Sequence, residues 1–289
     1  MYDVIIIGSG PAGISASLYT IRANLKVCII SKNESVLEKA EKIENYYGFP
    51  KGISGNVLNS RGTEQAKNLG VDIINDEVVN IKYEKNFIVE TVNSRYEGKV
   101  VIIATGKSRK SPSIKGIKEL EGKGISYCAI CDAFFYKGKE VGVLGNGNYA
   151  IHEAKELLPV AKKVTIYTNG KKPIENRDEE LNVDFVEDEI KEIKGTNKVE
   201  SIEFFSGEKR NIDGIFIAEG IASSGDLAKK MGVMLKGKEI IVNENMMTNI
   251  PGIFACGDCT GGLLQISKAV YEGTKAGLSA ISYIRNKKG

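Results

Sequence analysis

The chain alternates short apolar runs with polar, glycine-punctuated stretches. The first run, Tyr2-Asp3-Val4-Ile5-Ile6-Ile7, has β character; it is closed by Gly8-Ser9-Gly10-Pro11-Ala12-Gly13 and followed by helix-like residues 14–22. The same order returns at Val141-Gly142-Val143-Leu144, then Gly145-Asn146-Gly147-Asn148-Tyr149-Ala150, then helix-like residues 151–158. Two dinucleotide-binding-like units are therefore expected. A further run, Val100-Val101-Ile102-Ile103-Ala104, ends in Thr105-Gly106 before polar residues 107–112 and reads as the exit from the first unit. Met247-Thr248-Asn249-Ile250-Pro251-Gly252 reads as a return linker, leading to a short buried strand at Ile253-Phe254-Ala255 and a glycine-interrupted helix from Leu264 onward. The expected fold class is α/β, with two Rossmann-like nucleotide-binding domains, the second inserted into the first. Residues 1–113 and 245–289 form the first, and 114–244 the second. Hairpin-like segments at 71–83 and 199–205 suit the extra sheet such domains carry.

The length of 289 residues accommodates two such domains. No apolar stretch approaches the roughly 18 residues a membrane span needs, so no membrane association is expected. The chain enters a strand at once, without the basic, apolar and cleavage regions of a secretory signal, which predicts a cytoplasmic location. A net charge of +3, with no basic run interleaved with aromatics, gives no reason to expect a nucleic-acid partner. The charge is uneven: residues 110–244 carry −2 and the remainder +5. Five cysteines are too sparse for a disulfide-stapled secreted domain, so paired thiols here point to catalysis or metal binding.

The first glycine turn has a mechanism. Gly8 permits the tight turn, Gly10 lets the backbone approach a pyrophosphate, and Gly13 allows close helix-to-strand packing, with the helix N-terminus facing the anion. The motif alone does not distinguish FAD from NAD. No ribose-binding acid ends the second strand in Val27-Cys28-Ile29-Ile30-Ser31-Lys32, although Glu34 lies just beyond. Cys128-Ala129-Ile130-Cys131 is the most informative feature. Two intervening residues let both thiols close a small redox disulfide, and a thiolate of lowered pKa attacks a partner disulfide. Asp132 follows directly and is either the acid that shuttles the proton of that cycle or a solvated turn residue. A second pair, Cys256-Gly257-Asp258-Cys259, lies in a different expected domain from the first. That separation argues against a shared Cys₄ metal site, and small buried residues around a needed Gly-Asp are the simpler reading; no metal is assigned. Cys28 reads as core. His152, the only histidine, sits on an expected helix and reads as a surface residue.

Over nearly its whole length the chain resembles the low-molecular-weight flavin thioredoxin reductases. The resemblance rests on Gly8 to Gly13, on Glu44-Asn45-Tyr46-Tyr47-Gly48-Phe49-Pro50, on Ser126-Tyr127-Cys128-Ala129-Ile130-Cys131-Asp132, on Phe254-Ala255-Cys256-Gly257-Asp258, and on their order. It implies FAD as cofactor, thioredoxin as partner and a homodimer whose domains rotate to present the dithiol alternately to flavin and substrate. It also implies Cys131 as the thiol nearer the flavin, Cys128 as the interchange thiol and Asp132 as the acid. Gly8, Ser9, Gly10, Pro11, Ala12, Gly13, Lys32, Asn45, Val79, Thr105, Gly106, Gly257, Asp258, Gln265 and Ile266 are the implied FAD contacts.

The electron donor departs from the common pattern. Nicotinamide-dependent members carry an HRRxxxR cluster after the strand that follows the second glycine turn. Here Val164-Thr165-Ile166-Tyr167 leads into Thr168-Asn169-Gly170, and the last arginine's place falls at Ile174. Losing charge-assisted hydrogen bonds worth about 1.5–3 kcal/mol each weakens NADP binding severely, unless Lys171, Lys172 and Arg177 substitute; otherwise these three are a solvated loop. The pattern resembles the ferredoxin-dependent flavin thioredoxin reductases, the branch that needs no pyridine nucleotide. A ferredoxin at about −400 mV reducing a thioredoxin at about −270 mV releases roughly 6 kcal/mol for two electrons. An acidic ferredoxin suits the basic outer segments. The alternatives are an NADPH- or NADH-dependent reductase with an atypical nucleotide site, or a nucleotide- or metal-binding module without turnover.

Overall fold

The computed structural model describes residues 1–32, 36–106, 112–173, 181–220 and 222–287. The chain divides into two compact units, residues 1–108 with 223–289 and residues 109–222.

The first unit begins with β1 (Tyr2–Ile7), α1 (Pro11–Arg22), β2 (Val27–Ser31), α2 (Gly55–Asn68), β3 (Asp72–Asn75), β4 (Val78–Tyr83), β5 (Phe87–Thr91) and β6 (Arg95–Ile103). The second contains β7 (Ile125–Ser126), α3 (Ala129–Asp132), β8 (Glu140–Leu144), α4 (Asn148–Leu157), β9 (Lys163–Tyr167), β10 (Asp184–Val186), β11 (Ile190–Lys194), β12 (Ser201–Phe204), β13 (Lys209–Asn211) and β14 (Gly214–Ile217). The chain then completes the first unit with α5 (Ser224–Lys230), β15 (Leu235–Lys236), β16 (Glu239–Ile240), β17 (Ile253–Ala255) and α6 (Ile266–Asn286).

In the first unit β3, β2, β1 and β6 run parallel in that order. Val4, Ile5, Ile6 and Ile7 are all buried because both faces of the sheet are covered, which is why β1 reads as an unbroken apolar run. β6 is the branch point of this seven-stranded sheet. Its first residues pair antiparallel with β5, while Val101, Ile102 and Ile103 pair parallel with β17. One face is covered by α1 and α6, which approach unusually closely. A Cβ at Gly273 would stand 2.1 Å from the Ala12 carbonyl oxygen, and one at Gly277 2.8 Å from that of Ala16. Small residues four apart on both helices thus bring the backbones together.

The second unit has a parallel sheet in the order β10, β9, β8, β14, β7, beside an antiparallel sheet of β11, β12 and β13. Tyr167 and Phe204 link the cores of the two sheets, their ring centroids 6.0 Å apart.

Two expectations need correction. Residues 71–83 are not a hairpin: β3 extends the parallel sheet beside β2, and β4 pairs antiparallel with β5. Residues 223–244, expected in the insertion, cluster with the first unit instead. There α5 starts at a Ser223/Asp226 capping box, and the Lys230 ammonium donates to the Val79 carbonyl at 2.9 Å.

Candidate functional site

In the first unit the carboxyl ends of three parallel strands converge. After β1, Gly8 takes φ +111°, and its N–H donates to the Ile30 carbonyl at 2.9 Å. A Cβ on Gly8 would lie 2.3 Å from the Ala104 carbonyl oxygen, and one on Gly13 1.9 Å from that of Gly8. Neither position has room for a side chain. Thr105 and Gly106 come one residue after β6, and Gly257-Asp258 one residue after β17; a Cβ on Gly257 would meet that of Ala12 at 2.9 Å. These residues form one cradle at the strand ends, where open α/β sheets place their ligands.

The cradle fits a dinucleotide. α1 starts at Gly10 and Pro11 with no side-chain cap and no acid in its first turn, so its positive end is left to an anion. The Thr105 hydroxyl oxygen is buried without a hydrogen-bond partner among the described residues. At the end of β2, Ser9 Oγ donates to Ser31 Oγ at 2.9 Å, and Lys32 pairs with the buried carboxylate of Glu77. Val79 lies on β4, two residues beyond Glu77. Asn45 and Gln265, 220 residues apart in sequence, meet through a 3.2 Å hydrogen bond from Asn45 Nδ2 to Gln265 Oε1. Ile266 opens α6 beside them, and Gln265 makes no capping bond. Glu34 lies outside the described residues.

Sequence reasoning missed the brace behind this cradle. Glu272 Oε2 accepts from the Gly257 N–H at 2.9 Å, from Thr260 Oγ1 at 2.8 Å and from Lys268 Nζ at 3.0 Å. Lys268 also donates to the Gly257 and Gly261 carbonyls at 2.8 and 2.6 Å. The turn carrying Asp258 is held from both sides. A Lys and a Glu four apart on a helix read from sequence as an exposed ion pair, and that spacing was the only signal.

Cys256 and Cys259 are buried free thiols beside this turn. Burial pushes Cys256 well up and Cys259 to about 12, so thiolate is negligible at neutral pH and neither is fit for exchange. Cys28, also buried, is raised to about 12 by its burial and by Asp72. Among the described residues no three His, Cys, Asp or Glu side chains are placed to hold a metal.

The second unit holds Cys128, Cys131 and Asp132 together. Cys128 and Cys131 form a disulfide with a Cα separation of 5.3 Å. β7 delivers the pair and α3 carries it; the Cys131 N–H donates to Cys128 Sγ at 3.2 Å. Ser126 Oγ donates to Asp132 Oδ2 at 2.6 Å and accepts the Cys128 N–H at 3.1 Å, which places the carboxyl group at the cysteine turn. Two further residues, unmarked in sequence, hold this loop from α4. The Tyr149 hydroxyl donates to the Tyr127 carbonyl at 3.3 Å, and buried Glu153 accepts the Ala129 N–H at 2.7 Å. Cys128 is 3% exposed, whereas Cys131 is exposed. Ile130, Phe134 and Phe135 around it are exposed by 40%, 79% and 67%. Tyr136 turns inward against Phe216, where its burial and then the Asp132 charge raise its pKa.

The second glycine turn retains its shape. Gly145 packs against Ala218, whose carbonyl oxygen would stand 2.3 Å from an added Cβ, and α4 opens after Gly147. Its surroundings differ from those of the first turn. Lys171 pairs with Glu219, next to Ala218, and Asn146 Nδ2 donates to the Lys172 carbonyl at 3.3 Å. Ile174 and Arg177 lie outside the described residues. His152, expected at the surface, is half-buried on α4, 3.9 Å from Glu156.

A fold with two Rossmann-like units, one with a glycine cradle that fits a dinucleotide and the other carrying a CxxC disulfide, defines a flavin-linked disulfide oxidoreductase. The chain belongs to the pyridine nucleotide-disulphide oxidoreductase family, whose model matches residues 2–273. Within that family it is of the thioredoxin reductase type, and its cofactor is FAD. It is 36% identical to the thioredoxin reductase of Aquifex aeolicus, over 100% of this chain and 95% of that one. Among solved structures it is similar to the atypical thioredoxin reductase TRi from Desulfovibrio vulgaris Hildenborough, with a TM-score of 0.95, 38% identity and 99% of each chain covered. It is also similar to a ferredoxin-flavin thioredoxin reductase from Clostridium acetobutylicum, with a TM-score of 0.72, 36% identity, and 99% of this chain and 98% of that one covered. No helix among the described residues is long and apolar enough to cross a membrane.

Proposed function

We propose that the chain is a cytoplasmic thioredoxin reductase that takes electrons from ferredoxin rather than a nicotinamide and passes them through FAD to Cys128 and Cys131. Bound FAD supplies the conversion of single electrons into a pair. Gly8 to Gly13 hold its pyrophosphate, Asp258 its ribityl-phosphate region, and Asn45, Gln265 and Ile266 the flavin side; Lys32, Val79, Thr105 and Gly106 complete the contacts. In the exchange step Cys128 attacks the partner's disulfide and Cys131 resolves the mixed disulfide. The two thiols become one disulfide, and the partner gains two electrons and two protons, with Asp132 moving the proton at the sulfur. The exposed Ile130, Phe134 and Phe135 offer thioredoxin an apolar seat beside the pair. Tyr271 and Leu278, seven residues apart and exposed on α6, offer a second copy of the chain a surface for the homodimer.

The donor assignment rests on one observation, the pairing of Lys171 with Glu219. Lys171, one of the cations that could replace the missing arginines, is already paired, and the partnering carboxylate lies beside the turn where a nucleotide's phosphates would sit. The family description and the intact Gly145–Gly147 turn favour a second reading, an NADPH-dependent reductase. Anaerobic titration of the purified holoenzyme separates the two. Reduced ferredoxin is expected to bleach the flavin band while NADPH and NADH do not; stoichiometric bleaching by NADPH overturns the ferredoxin reading.

A further inference from the structure

We infer that Ser126 is a positioning residue for the proton steps of the exchange, a buried hydroxyl that keeps the Asp132 carboxyl group at the cysteine turn whether or not that group carries a proton. This rests on Asp132 being the acid for Cys128 and Cys131. Ser126 closes β7, paired with Phe216 of β14, and is 6% exposed. Its Oγ lies 2.6 Å from Asp132 Oδ2, 3.1 Å from the Cys128 nitrogen and 3.4 Å from the Cys128 carbonyl oxygen. One hydroxyl, fixed on a strand, thus joins the backbone of the attacking cysteine to the acid.

A serine bonded only to the N–H two residues on would be a local turn device. The Asp132 contact asks more of it, because the acid changes state twice in each exchange. Cys128 gives its proton to Asp132 and, as thiolate, attacks the partner disulfide; the partner's first sulfur leaves and takes that proton. Cys131 then gives its proton to Asp132 and attacks Cys128 Sγ, which restores the Cys128–Cys131 disulfide and releases the partner's second sulfur to take the proton in turn. Two electrons and two protons pass to the partner, and Asp132 ends as it began. A hydroxyl suits both states, since it donates one hydrogen bond and accepts two. Opposite the carboxylate, Ser126 donates to Oδ2 and accepts the Cys128 N–H. Opposite the carboxylic acid, it accepts from Asp132 as well and turns its own proton to the Cys128 carbonyl. Each transfer then needs only a rotation about the Ser126 C–O bond. Without the hydroxyl, Asp132, partly exposed at the end of the short α3, is left to turn into water.

The test is a double-mutant cycle on the full-chain holoenzyme with Ser126→Ala, Asp132→Asn and the two combined. Dithionite-reduced enzyme is mixed anaerobically with oxidised thioredoxin for a single turnover and quenched in acid, and the thiols formed on thioredoxin are measured by alkylation and mass spectrometry. This reads the exchange without the electron donor. Ser126→Ala is expected to lower the limiting rate about tenfold while the thioredoxin concentration at half that rate stays within about twofold, because a buried hydroxyl acts on the proton and not on partner binding. In the Asp132→Asn background the same substitution is expected to cost less than about twofold. Similar losses in both backgrounds would mean that Ser126 only supports the loop, and a Ser126→Ala rate within about twofold of the parent would mean that Asp132 needs no holder; either result overturns the inference. Failure of the reading beneath it shows separately, as an Asp132→Asn enzyme that keeps the parent's rate.

Discussion

The two glycine turns share a local design and differ in what surrounds them. At the first, Gly13 lies so close to the Gly8 carbonyl that no side chain fits, and the N-terminus of α1 has neither an acid in its first turn nor a side-chain cap. At the second, the third position is Ala150, Asn146 is tied to the Lys172 backbone, and Glu219 and Lys171 neutralise each other alongside. A strand-turn-helix specifies a place where an anion can sit. The groups on the neighbouring strand ends decide whether one does.

Substitutions can break or sharpen this contrast. Cys128→Ser and Cys131→Ser should each lower thioredoxin reduction by about a thousandfold or more while the flavin remains bound, measured as insulin-coupled turnover and absorbance. Gly13→Ala should empty the first turn, because a methyl 1.9 Å from a backbone oxygen forces the helix off the strand. Purified protein should then carry less than about a tenth of its flavin, a loss of at least about 1.4 kcal/mol in binding. Asp132→Asn keeps a partner for Ser126 but cannot carry the proton, so turnover should fall about a hundredfold without loss of flavin.

A smaller effect comes from alkali. Cys259 is raised by burial from 9.0 to about 12, so its folded-state stability is complete below about pH 9 and drains away as pH rises toward 12. Denaturant melts should lose up to about 1.4 kcal/mol per pH unit from this thiol, and Cys259→Ala should flatten that slope. Smallest of all, Lys171→Ala should change ferredoxin-linked turnover by less than about twofold and stability by about 0–1 kcal/mol, since the pair is half-exposed. A large loss of turnover there would mean that the second turn still binds a working nucleotide.

Much of the fold was legible because parallel strands covered on both faces leave continuous apolar runs. β1, β8 and β17 fall where Val4, Val141 and Ile253 announced them. β3 and β4 deceived because two adjacent apolar segments look like a hairpin, whereas β3 pairs with the distant β2 and β4 with β5, which follows it in the chain. The return at residue 223 has no compositional mark; it is made by long-range contacts such as Lys230 to Val79. Among site residues, the glycines and cysteines showed themselves because their chemistry demands those residue types. Glu153 and Glu272 did not, since an acid on a helix reads as solvated until its backbone partner is seen.

The close seating of α6 on α1 carries a consequence for biogenesis. Ala12 and Ala16 meet their glycine partners only after more than 250 further residues have been made, so the flavin cradle stays incomplete on the ribosome while the intervening unit can already fold. Loading of the coloured group then belongs to the finished polypeptide, and a nascent chain stalled before Gly273 should emerge pale.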